Sequence, residues 1–234
     1  MIKKITYLTL GLAFSFNSLN ASDYSDEVLK YYAQVLAKIK GAEVKYVDTD
    51  TYKGYEVVNV EILKGGKKQK HFMFVKDGLL FNDVLDLKTM KSYRETFKGD
   101  EFIKIAKANK EYLQIGSNAN EVMWIFLDIE CPYCKSHSEK LTELSKNKQI
   151  NLVFLNVVGT EYGIIKTVNL EKEFKKAKNT EDKIKIIQKY FNYTKNDLSA
   201  SDEEKKKIIE RSDKYGNSGL EYVPFIIDKG GSSK

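Results

Sequence analysis

Phe126-Leu127-Asp128-Ile129-Glu130-Cys131-Pro132-Tyr133-Cys134-Lys135 holds the only two cysteines of the 234-residue chain. The run opens as an apolar, strand-like segment and passes into a segment with helical character, so the C-x-x-C falls at a strand-to-helix turn. That is the layout of a thiol–disulfide site. With no third cysteine in the chain, the pair either closes on itself or exchanges with another molecule. At a helix N-terminus, Cys131 would meet unpaired backbone N–H groups and the positive end of the helix dipole, both of which favour a thiolate. Pro132 suits the first helical turn, where a missing N–H costs nothing. Cys134, one turn on, is expected to be shielded and to act as the resolving thiol after a mixed disulfide forms at Cys131.

Three structural alternatives account for the pair less well. A disulfide across one turn closes a very short loop and constrains little unfolded-chain entropy. A zinc site needs about four ligands, and beyond the two thiols only the distant His71 and His137 are on offer. Covalent haem attachment needs histidine directly after the second cysteine, where this chain has Lys135. No metal is therefore expected.

Working outward, strands are expected at 111–115 and 121–128, a helix from Cys134 to about Lys146, and a strand over Asn151–Val158. This is a βαβ unit with the C-x-x-C at its first turn. Residues 167–215 read as helical and charged, with one apolar set at Ile184, Ile186, Ile187, Tyr190 and Phe191 and another at Ile208 and Ile209. Tyr222 to Asp228 then reads as a strand entered through Pro224. Pro224 either starts an edge strand or is a cis-proline opposite the cysteines, with the backbone at Val223 free to pair with an extended substrate. Its position after the helical segment favours the second reading. Asp128 could raise the thiol pKa by like-charge repulsion or shuttle a proton to Cys134. Glu130 reads as a solvated loop residue and His137 as a helix-surface residue. Tyr133 is expected at the rim of the site, either selecting extended or apolar substrates or packing.

The N-terminal half is unlike this. Residues 24–42 read as an amphipathic helix ended by Gly41, with strands at 44–49 and 55–63. Gly65-Gly66 and Asp77-Gly78 mark tight turns into Phe72–Val75 and Leu79–Phe81. The core of this α+β unit is thin for independent stability, which points to a partner or self-association. Residues 86–110 read as a lysine-rich linker helix, interrupted at Gly99. At the start of the chain, Lys3 and Lys4, the apolar run Ile5–Phe16 and a cut after Ala21 read as a signal peptide. Export to an oxidising compartment suits a redox-active pair. With 39 basic and 33 acidic residues interspersed, the surface reads as solvated, and no nucleic acid is expected.

The arrangement from Phe126 to Lys135, followed by a helical insertion and then Val223-Pro224, resembles the DsbC/DsbG group of periplasmic disulfide isomerases. The Cys-Pro-Tyr-Cys tetrapeptide is closest to the DsbG form. The resemblance implies an α+β protein built from a thioredoxin-like C-terminal domain with a helical insertion (111–234), a linker helix (86–110) and a small cystatin-like N-terminal dimerisation domain (22–85), after a signal peptide (1–21). It also implies a V-shaped homodimer in the periplasm with an apolar cleft for misfolded or disulfide-containing exported clients, a membrane thiol–disulfide redox partner and no cofactor. Cys131 would be the nucleophile, Cys134 the resolving thiol and Pro224 the cis-proline, with Pro132, Tyr133 and Val223 at the substrate surface.

Three departures bear on this. The chain lacks a second cysteine pair. Val223 stands where the isomerases usually have threonine and DsbA-type oxidases often have valine. A thioredoxin fold is expected to continue after Asp228 with an edge strand and a closing helix, so the C-terminal edge reads as truncated. The leading expectation is an exported dimeric oxidoreductase that isomerises or reduces wrong disulfides. The alternatives are a dimeric DsbA-type oxidase and a periplasmic chaperone with dispensable thiols.

Overall fold

The computed structural model describes residues 24–229. The expected signal peptide and the last five residues, 230–234, lie outside them. Helix α1 (Ser25–Leu36) precedes an antiparallel meander of β1 (Ala42–Tyr52), β2 (Tyr55–Lys64), β3 (Lys67–Lys76) and β4 (Leu79–Phe81), paired in that order. All three turns between these strands are two-residue turns with both residues at positive φ: Lys53-Gly54, Gly65-Gly66 and Asp77-Gly78. That backbone twist matches the twist of the strands it joins. The period-2 alternation of β2 and β3 produces two apolar faces. Val58, Val60, Met73 and Val75 pack under Val28 and Tyr32 of α1, while Val57, Phe72 and Phe74 face the other way. The core is thus less thin than expected, because a second helix covers the second face.

That helix is α2 (Tyr93–Asn109), entered through a short ribbon of β5 (Leu85–Asp86) and β6 (Lys91–Ser92). The reading of 86–110 as one interrupted helix is corrected in two respects. Its first residues form the ribbon, and the helix starts where the Ser92 hydroxyl caps the Glu95 N–H at 3.0 Å. Gly99 does not break α2. A Cβ at Gly99 would meet the Ile227 side chain at 3.0 Å, so the glycine lets helix and strand approach closely. Tyr93 and Phe97 pack on the first sheet, whereas Phe102, Ile103 and Ala106 pack on the second. The helix is shared by two cores.

The second sheet comprises β7 (Leu113–Ile115), β8 (Val122–Asp128), β9 (Gln149–Leu155) and β10 (Phe225–Asp228) in the order β10-β8-β9-β7. β8 and β9 are parallel, and the outer two strands are antiparallel to their neighbours. Helices α3 (Pro132–Ser138) and α4 (Leu141–Asn147) link β8 to β9. Between β9 and β10 come α5 (Glu161–Phe174), α6 (Thr180–Phe191) and α7 (Asp202–Asn217). Both faces of β8 are covered, which is why it reads as an unbroken apolar run rather than an alternation. Ile125, Leu127, Leu152 and Phe154 face Leu141, Leu170 and Ile187, while Trp124, Phe126 and Val153 face α2 and Tyr215. A βαβ unit, a helical insertion and an antiparallel strand led in by a proline make this a thioredoxin-like fold in an α+β chain.

One further expectation is corrected here. The helix carrying Cys134 does not run unbroken to Lys146. The Ser138 hydroxyl donates to the Lys135 carbonyl at 2.7 Å, and Lys140 N–H bonds the His137 carbonyl three residues back. The tightened path ends α3, and α4 starts afresh.

Candidate active site: a dithiol opposite a proline

The site is built where β8 stops. Cys131 N–H donates to the Asp128 carbonyl at 3.1 Å, closing a tight turn, and the Cys131 carbonyl accepts from Lys135 N–H at 3.0 Å to start α3. Cys131 is therefore the N-cap of α3, with Pro132 in the first turn. Cys131 is 7% exposed and Cys134 is fully buried; both are free thiols. Burial, the largest influence, pushes the Cys134 thiol far up, and the charge of Asp128 adds a smaller push in the same direction. The Asp128 N–H donates to Cys134 Sγ at 3.5 Å and partly opposes this.

The Val223–Pro224 peptide is cis, and the Val223 carbonyl lies 3.6 Å from Cys131 Sγ. Residues 92 positions apart thus meet at the sulfur. Tyr133 is 77% exposed and Pro132 is exposed at the rim, while Val223 and Pro224 are half-buried. Beside Cys131 a pocket of 410 Å³ is lined by Glu130, Pro132, Lys135, Tyr162, Lys166 and Thr194, among others. A larger cleft of 610 Å³, between the β2–β3 turn and α7, includes neither cysteine.

Asp128 is fully buried, and its carboxylate accepts three backbone N–H bonds: Glu130 at 2.8 Å, Val157 at 2.6 Å and Val158 at 2.7 Å. Burial pushes its pKa up, the three bonds pull it down, and the upward effect prevails. Beyond acting on the thiol, Asp128 ties the cysteine loop to the loop after β9. Glu130 departs from its expected role as a solvated residue. It pairs at 2.7 Å with Lys166 of α5, which is only 4% exposed. The close approach of α5 depends on Gly163, where a Cβ would sit 2.9 Å from Glu130 Cγ and 2.8 Å from Thr160 Oγ1. His137 is half-buried rather than on the surface, and burial followed by the nearby Lys140 lowers its pKa. Lys166 and Gly163 went unrecognised in the sequence, since one lysine among many in a charged helix carries no local signal. Among the described residues no cluster of three or more metal-ligating side chains occurs.

No protein-family model matches this sequence, and no curated protein is significantly similar to it. Several solved structures are similar to the chain at low identity. The Helicobacter pylori DsbG structure is 18% identical, covering 87% of this chain and 99% of its own, with a TM-score of 0.46. Proteus mirabilis ScsC in a transitional conformation is 16% identical over 59% of this chain and 81% of its own, with a TM-score of 0.40. The thiol-disulfide exchange protein alpha-DsbA2 from Wolbachia pipientis is 17% identical over 61% of this chain and 89% of its own, with a TM-score of 0.37.

Proposed function

We propose that the protein is a thiol–disulfide oxidoreductase that isomerises or reduces non-native disulfides in exported proteins. The observation that carries this reading is the placement of the only two cysteines in one turn, with Cys131 Sγ against the Val223 carbonyl and Cys134 buried behind it. The Cys131 thiolate attacks one sulfur of a client disulfide, forming a mixed disulfide and releasing the other client sulfur as a thiolate. In isomerisation that thiolate attacks another client disulfide, and the thiolate released there attacks the client sulfur of the mixed disulfide. A new client disulfide forms, the Cys131–client bond breaks and Cys131 leaves as a thiolate. In reduction, Cys134 loses its proton and attacks Cys131 Sγ. The client departs with both thiols, and the protein keeps the Cys131–Cys134 disulfide. The upward push on the Cys134 thiol keeps this escape slow, which gives the client time to rearrange. Recycling the oxidised pair needs a dithiol redox partner.

The partner proposed for assembly is a second copy of the chain. Tyr31 and Val35 on α1 are exposed, at 43% and 54%, although Val28 and Tyr32 of the same helix are buried. Localisation to the periplasm rests on the signal-peptide reading; among the described residues no helix is long and apolar enough to cross a membrane. The test is reactivation of a scrambled disulfide protein. Wild type restores activity, Cys131→Ala does not, and equal reactivation by both rejects the proposal. Val223 supports a second reading, a disulfide-donating oxidase. A pair kept mostly oxidised in cells would favour that reading over isomerisation.

A further inference from the structure

The segment that brings Val223 to Cys131 is held by the other sheet. Residues 218–224, between α7 and β10, form neither helix nor strand. The N–H groups of Ser218, Gly219 and Leu220 bond carbonyls at the end of α7, and beyond them the Glu221 side chain ties the segment down. Glu221 lies two residues before Val223. Its Oε1 is 3.0 Å from Nδ1 of His71 on β3 and 2.9 Å from Nη1 of Arg94 on α2.

Both partners are themselves fixed. Arg94 is buried, its Nε donates to the Asn82 carbonyl at 2.8 Å, and its Nη2 donates to the Phe72 carbonyl at 2.7 Å and to Asn82 Oδ1 at 3.0 Å. Its guanidinium stands 4.1 Å over the Phe72 ring. With the rest of the fork committed, Nη1 is left for Glu221. His71 pairs with Val60 in the middle of the sheet, and the Tyr32 ring meets it edge-on. Burial acts to raise the Glu221 carboxyl, but His71 and Arg94 outweigh it and hold the group below its ordinary value. Glu221 is therefore a charged anchor on fixed supports, two residues before the Val223 carbonyl that lies at Cys131 Sγ.

We propose that Glu221 is a positioning residue for disulfide exchange: its pairing with Arg94 and His71 sets where the Val223 backbone lies against Cys131, so the β1–β4 sheet controls how a client is presented. This rests on the thiol–disulfide reading above. An extended client that pairs with the Val223 backbone needs that edge in place before its sulfur lines up with Cys131 Sγ. The anchor therefore acts on client binding rather than on the sulfur's own reactivity.

The test uses the full chain, a disulfide-linked fluorescent peptide pair as substrate and dithiothreitol to re-reduce the Cys131–Cys134 disulfide after each turnover, with iodoacetamide trapping of Cys131 measured in a separate reaction. For Glu221→Gln the expected result is a KM raised about tenfold, with kcat and the alkylation rate within about twofold of wild type. Adding His71→Asn to Glu221→Gln should change nothing more, because both act through one anchor. An unchanged KM overturns the proposal, as does a fall in kcat at constant KM. If circular dichroism shows Glu221→Gln unfolded, His71→Asn alone serves. It should raise KM about threefold, and no rise overturns the proposal. The underlying reading fails separately: Cys131→Ser would then turn the peptide over as fast as wild type.

Discussion

Breaking the Glu130–Lys166 pair should have unequal consequences depending on which partner is removed. Lys166 is 4% exposed, while the Glu130 side chain is 27% exposed. Lys166→Met leaves a carboxylate that can still turn toward water, so the loss should be about 1–2 kcal/mol. Glu130→Gln leaves an ammonium with no counter-charge and little access to solvent, at about 3–4 kcal/mol. The double variant removes both charges and keeps the packing, so it should fall within about 1 kcal/mol of wild type. With the double variant near wild type, the three numbers imply a coupling of about 4–6 kcal/mol. Urea denaturation of the four proteins, with a common slope, measures the cycle. If Lys166→Met costs more than Glu130→Gln, or if the coupling stays below about 0.5 kcal/mol, the inference from burial to energy is wrong.

Three other outcomes are expected. Cys131 should be alkylated at least about a hundredfold faster than Cys134, because Cys134 is fully buried and its thiol is pushed up; peptide mapping after timed iodoacetamide exposure measures this. Gly116 has φ +70°, and a Cβ there would sit 2.1 Å from the Lys148 carbonyl oxygen, so Gly116→Ala should cost about 2–4 kcal/mol by thermal denaturation. Because the Glu221 carboxyl is lowered by its partners in the fold, its contribution is present above its unfolded value and is lost as pH falls through the folded one. The stability gap between wild type and Glu221→Gln should be widest near neutral pH and close in acid, and a gap that widens in acid contradicts that sign.

Features with a local cause could be read before any coordinates. Gly65-Gly66 and Asp77-Gly78 announce positive-φ turns because few other residues adopt that backbone without strain. β8 is apolar from Val122 to Leu127 because both faces are covered, and Cys131 followed by Pro132 marks a helix start. Other local signals were present but went unread. Ser201 and Glu204 form a capping box that opens α7, and Thr160 and Asn179 cap α5 and α6, so the helical, charged region expected at 167–215 starts earlier, at Glu161, and divides into three helices. Lys53-Gly54 likewise makes a turn that was not singled out.

By itself, the sequence determined the strand–turn–helix around Cys131, its single exchangeable cysteine pair, and the proline-led strand that closes the sheet. Each is encoded within a few residues, by side-chain periodicity or by the backbone freedom of one residue. Only the tertiary structure decided that the Val223 carbonyl lies at Cys131 Sγ, that Lys166 answers Glu130, and that His71 and Arg94 grip Glu221. Those partners come from separate elements, and a charged residue in a helix or strand looks the same in sequence whether it faces water or a buried counter-charge. Folding brings the elements together, and burial then makes the pairing of these charges obligatory.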